Sequence, residues 1–76
     1  MFDRITSDPA ILGGKPIIRG TRLSVELVLE LIASGATRND VIERHPHLTI
    51  ADVEEALGYA AASVRNEIIA SAEVPR

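Results

Sequence analysis

TRNDVIERHPHLTIAD, residues 37 to 52, holds two helix starts and one helix stop. Thr37 and Thr49 each stand three residues before an aspartate, Asp40 and Asp52. Each hydroxyl can therefore accept from the backbone N–H three residues on, while the carboxylate reaches back to the N–H of the cap; aspartate is a weaker substitute for the Glu or Gln usual in this box. Pro46 stops the first helix, because it pushes the residue before it out of the helical region. The spacing thus predicts one helix over about residues 38–45, a tight His45-Pro46-His47-Leu48 turn, and a second helix from Ile50 to about Ser71.

Upstream, Ser24 is a good N-cap, Glu26 lies in a first turn where the helix dipole favours negative charge, and Gly35 can terminate a helix over Val25 to Ser34. Val25, Leu27, Val28, Leu29, Leu31 and Ile32 cover most of its circumference, with Glu26 and Glu30 as the wet stripe, so this helix is expected to be surrounded. In the last helix Val53, Leu57, Ala60, Ala61, Val64 and Ile68 recur at three- and four-residue steps, and Gly58 is expected to permit close packing at a cost of about 1 kcal/mol relative to alanine. Residues 1–23 differ in kind. Pro9, Gly13, Gly14, Pro16 and Gly20 make them turn-rich, and Ile5 to Ser7 and Pro16 to Arg19 are short β-compatible pieces that read as a small hairpin or two irregular extended arms. The fold class is mostly α: a single domain over residues 1–76, with a short extended or β N-terminal arm over 1–23 and a three-helix region over 24–76.

A chain of 76 residues buries only about 60% of the surface that it exposes when unfolded, so stability is marginal and a partner that covers apolar surface helps. There is no cysteine to form a disulfide or a thiolate metal site, which suits a cytoplasmic setting. Asp3, Asp8 and Pro9 interrupt what a secretory peptide would need as an unbroken apolar core, and no apolar run approaches the roughly 18 residues of a membrane span. The net charge of −3 hides an asymmetry: residues 1–23 carry four basic against two acidic side chains, +2, and residues 24–76 carry four arginines against nine carboxylates, −5. Such a split suggests two surfaces that draw different partners, or charges that merely solvate the molecule.

Catalytic constellations are missing. His45 and His47 have no carboxylate or thiolate cluster to complete a zinc site and read as caps at the end of a helix, where a cation is favoured. Gly14-Lys15 resembles the end of a phosphate-binding loop, but Pro9 stands where that loop needs glycine, and Pro16 where it needs Ser or Thr. No enzyme, metal or cofactor is expected. The order of helix, turn and helix is that of a helix-turn-helix, whose second helix enters the major groove of DNA. Here the exposed residues of that helix are Asp52, Glu54 and Glu55, with no compensating base, and phosphates would repel them. Candidate DNA contacts are instead Lys15, Arg19 and Arg22, then Arg4 and Arg38; the alternative is that these cations pair with helix carboxylates.

The last helix, at some 22 residues and 1.5 Å each, is about 33 Å long against about 15 Å for the first, so it outruns its neighbours. Leu57, Val64, Ile68, Ile69 and Val74 are the candidate partner interface, and a homodimer or a heterocomplex is expected there.

GGKPIIRGTRLSV, residues 13 to 25, together with His45-Pro46-His47-Leu48-Thr49 and Tyr59-Ala60, resembles the domain-of-unknown-function family 433 over nearly the whole chain. The resemblance implies a homeodomain-like helix-turn-helix preceded by an extended arm, and a VapB-type antitoxin that neutralises a PIN-like ribonuclease toxin through one surface and binds operator DNA through another. The signature residues fall on Gly14, Lys15, Pro16, Arg19, Gly20, Thr21 and Arg22, with roles in folding or in binding left open. The rival reading is a dimeric, protein-only interaction or scaffold module that binds no DNA.

Overall fold

A computed structural model describes the backbone of residues 2–72 and the side chains of residues 2–65. The chain runs β1 (Ile5–Thr6), a 3₁₀ turn (Leu12–Gly14), β2 (Ile17–Ile18), α1 (Val25–Ala33), α2 (Arg38–Arg44) and α3 (Ile50–Ala72). It is mostly helical, with three helices and a short two-stranded antiparallel sheet at its N-terminus.

Each helix begins where a side chain caps it. The Ser24 hydroxyl accepts from the Leu27 N–H, and Thr37 and Asp40 satisfy each other's backbone N–H groups at 2.9 and 3.0 Å. Thr49 and Asp52 repeat that box at 3.0 and 3.1 Å, so the shorter arm of aspartate suffices. At the end of α1 the chain turns through Gly35 at φ +106°, and His45 closes α2 ahead of Pro46.

The N-terminal segment is the short β arm expected from the sequence, and its strands pack into the core. Ile5 pairs with Ile18 and Thr6 with Ile17, and the pairing continues through the Arg19 N–H to the Arg4 carbonyl at 2.7 Å. The other edge of β2 is also occupied, with Ile18 N–H bonded to the Leu23 carbonyl and Val25 N–H to the Pro16 carbonyl. Partnered on both edges, β2 buries Ile17 and Ile18 almost completely. Ile5 and Ile18 join Val25, Val28, Val41, Leu48, Val53, Ala56 and Ala60 in one core.

Two expectations from the helix patterns need correction. The first helix is not surrounded: α1 buries Val25 and Val28, while Leu29 stays 37% exposed on a face that no described element covers fully. Gly58 does not serve close backbone packing. It is exposed, and a Cβ placed there would meet only the Phe2 ring, at an ordinary 3.6 Å. Phe2 packs edge-on against Tyr59, with ring centroids 5.4 Å apart, and so fastens the start of the chain to α3.

Helices α1 and α3 run antiparallel, since Val25 and Leu29 border a groove with Ala60 and Val64 whereas Ile32 shares a hollow with Ile50 and Leu57. With 9 and 23 residues they are about 14 and 34 Å long, so α3 continues past the start of α1.

Candidate functional site

Two surface features have the shape and chemistry of sites. The first is a cationic cleft of 450 Å3 where the tip of the loop after β2 meets the α2–α3 turn, lined by Arg19, Gly20, Thr21, Arg22, Leu23, His45, His47 and Asp52. The loop tip is a β-turn: the Thr21 N–H donates to the Ile18 carbonyl at 3.0 Å, and Gly20 takes φ +82°, which glycine adopts without a Cβ clash. The Thr21 hydroxyl donates to the same carbonyl at 2.7 Å and accepts from the Leu23 N–H at 3.0 Å. Gly20 and Thr21 thus build the turn, which leaves Arg19 and Arg22 at its two ends.

Arg19 is held in place through its Nε, which donates to the Asp3 carbonyl at 2.8 Å. Among the described residues no helix carboxylate pairs with Arg19 or Arg22, and both are exposed. Across the cleft, the backbone of His45 is fixed from both sides: its N–H bonds to the Val41 carbonyl and its own carbonyl accepts from the Leu48 N–H, each at 2.9 Å. Asp52 is already engaged with Thr49 and, at 3.1 Å, with the Arg4 guanidinium. Burial alone would push its carboxyl up, but the Thr49 backbone, the Arg4 hydrogen bond and the Thr49 hydroxyl outweigh this and hold it below the ordinary carboxylate value.

The second feature is an apolar groove of 300 Å3 between α1 and α3, with exposed Leu29 and Val64 on its walls and Tyr59 and Ala60 along its floor. Lys15 and Glu26 close one rim with a 2.8 Å ion pair, which raises the Lys15 ammonium above its ordinary value by hydrogen bond and charge.

The residues singled out in the sequence separate into groups. Arg19 and Arg22 share the cleft, Lys15 faces Glu26, Arg4 bonds Asp52 and Glu55, and Arg38 stands 3.8 Å from Glu54. The carboxylates at the start of α3 therefore do have compensating bases, contrary to the sequence expectation: the N-terminal segment folds back over α3 and delivers Arg4, and α2 delivers Arg38. Val64 lies in the apolar groove, but Leu57 is half-buried on the α2 side of α3, so the two do not form one patch. The side chains of Ile68 and Ile69, and all of Val74, fall outside the described residues. Sequence reasoning missed Leu29, which alone among the large apolar residues of α1 is exposed, and the meeting of His45 and His47 with the Gly-Thr-Arg turn. The His-Pro-His spacing was the one available signal for the latter, and by itself it reads as a helix end.

Among the described residues no group of three or more His, Cys, Asp or Glu side chains could hold a metal ion, and no helix is long and apolar enough to cross a membrane.

A three-helix module with a two-stranded N-terminal clasp, a cationic cleft and a separate apolar groove is the class of protein that these features define. The match extends over residues 5–60 to the family described as "Protein of unknown function (DUF433)", and the chain belongs to that family. Among curated proteins it is 39% identical over 59 residues to "Uncharacterized protein y4eO" of Sinorhizobium fredii (strain NBRC 101917 / NGR234). That alignment covers 78% of this chain and 27% of the relative, so the chain spans about a quarter of the relative's length. Among solved structures it is similar to the crystal structure of a DUF433 member protein from Anabaena variabilis ATCC 29413, with a TM-score of 0.77 and 27% identity, over 83% of this chain and 62% of that one.

Proposed function

We propose that the chain is an antitoxin-like regulator of a type II toxin-antitoxin system, acting in the cytoplasm by binding and without catalysis. Its protein partner is a PIN-like ribonuclease, its second partner is operator DNA, and it works as a homodimer. The observation that carries this reading is the groove at the point where α3 passes the start of α1, with Leu29 37% and Val64 49% exposed on a chain too small to cover them. Glu30 on α1, near enough to act on the Lys15 ammonium, adds negative charge beside the Lys15–Glu26 pair at the rim, which suits a basic RNA-cleaving partner.

Co-expression with a PIN-like ribonuclease, taken from the neighbouring gene if one is encoded there, tests the proposal. The expected outcome is a complex that survives gel filtration and suppresses RNA cleavage, and that the Leu29→Asp, Val64→Asp double variant loses at unchanged melting temperature. A double variant that binds and inhibits as the parent does would overturn it.

A second reading, a protein-only module that binds no DNA, is favoured by one observation: Lys15, Arg4 and Arg38 already face carboxylates of the same chain. A gel shift with the upstream DNA at low and moderate salt separates the two, because phosphate-driven binding weakens steeply as salt rises.

A further inference from the structure

We infer that the cleft between the Gly20 turn and the α2–α3 turn receives a phosphodiester group of a nucleic-acid backbone, held by Arg19 and Arg22 and flanked by His45 and His47. The inference rests on the reading of the chain as a regulator that touches nucleic acid, and it places that contact on residues outside the usual reading surface of a helix-turn-helix.

Three observations converge on this cleft. Arg4, Lys15 and Arg38 each have a helix carboxylate within 4 Å, whereas among the described residues no helix carboxylate pairs with Arg19 or Arg22. A guanidinium clear of helix carboxylates, anchored on a hydrogen-bonded turn, is preorganised to take phosphate oxygens as a fork of donors. The N-terminus of α3, where a helix-turn-helix would present backbone N–H groups to DNA, is already occupied by the Thr49 and Asp52 box. Finally, the opposite side is lined by His45 and His47 beside the Arg4-paired Asp52, and an imidazole donates one hydrogen bond when neutral and two when protonated.

A proton linkage follows. The charged groups that line the cleft with the histidines are Arg19 and Arg22 from the loop and Asp52 from α3, which Arg4 of the N-terminal segment offsets. An anion held among them favours protonated imidazole, so binding takes up protons and weakens as pH rises through the range in which histidine changes charge.

Fluorescence anisotropy with a short labelled DNA duplex at low salt, read at about pH 6 and about pH 8, tests this directly. Wild-type protein is expected to bind at least about tenfold more tightly at the lower pH, and the Arg19→Ala, Arg22→Ala double variant to lose that binding and about one unit of salt slope at unchanged melting temperature. The His45→Gln, His47→Gln double variant should keep the affinity seen at the higher pH and lose its pH dependence; His47→Gln alone, at an exposed position, serves if the double variant is less stable. Arg65→Ala, on α3 13 residues beyond the cleft's Asp52, is the control that should leave binding unchanged.

In a parallel arm, inorganic phosphate added to ¹⁵N-labelled protein should move the amide signals of residues 19–23 and 45–48. Phosphate that moves those signals while the duplex fails to bind would overturn the nucleic-acid source, as would duplex binding that survives loss of both arginines or keeps its pH dependence in the histidine variants. The antitoxin reading is judged separately, on the ribonuclease complex, so either can fail alone.

Discussion

At the scale of single residues, Asp52 does three things with one carboxylate: it caps α3, holds Arg4 and closes one side of the cationic cleft. Its carboxyl and that of Asp40 both sit below the ordinary value of 3.8, the latter through the Thr37 backbone and hydroxyl. A carboxyl whose folded value lies below its unfolded one contributes stability that is complete above 3.8 and is lost as the pH falls through the lowered value. Lys15 has the opposite sign: its contribution is complete below 10.5 and fades as the pH climbs through the raised value. Asp52→Asn should therefore destabilise the protein by about 1 kcal/mol at neutral pH, in line with the loss of a helix cap, and flatten the acid side of its stability profile. Urea titrations at pH values on both sides of 3.8 measure this, and an unchanged acid limb would count against the assignment. Much at this scale is legible in the sequence, since capping depends on neighbours three residues apart. The pairing of Arg4 with Asp52, 48 residues apart, is not, because it exists only once the chain has folded back on itself.

At the scale of elements, all three helices can be read from their caps and stops to within a residue or two, because local chemistry sets those boundaries. The two strands are harder, since two residues each is too short to show an alternation, and Ile17 and Ile18 are both buried because β2 is partnered on both edges. The same difference governs the site. Arg19 and Arg22 stand out in sequence by charge and motif, but their meeting with His45 and His47 depends on how the loop seats against a turn more than twenty residues away. Helix α3 carries its own test. Gly58 has room for a methyl group, so Gly58→Ala should gain about 1 kcal/mol of helix stability. In a domain of this size that raises the melting temperature by about 4–8 °C. A decrease would mean that the Phe2 ring cannot tolerate the added carbon.

At the scale of the whole molecule, the chain folds back on itself: Phe2 packs on Tyr59, Arg4 bonds Asp52, and Ile5 shares the core with Val53, Ala56 and Ala60 of α3. Removing residues 1–18 therefore deletes Ile5, Ile17 and Ile18 from the interior; at about 2–5 kcal/mol for each isoleucine, the loss rivals the roughly 5–15 kcal/mol that holds a small domain together. The truncated chain should show no cooperative thermal transition by circular dichroism, and one that melts within a few degrees of the parent would contradict this account. The same folding back has a consequence during synthesis. A ribosome adds about 5–20 residues each second, so the opening strand waits roughly 3–13 s for the helix it rests on to be made. For that interval the nascent polypeptide has no finished interior, and it is open to proteases and chaperones until α3 has emerged.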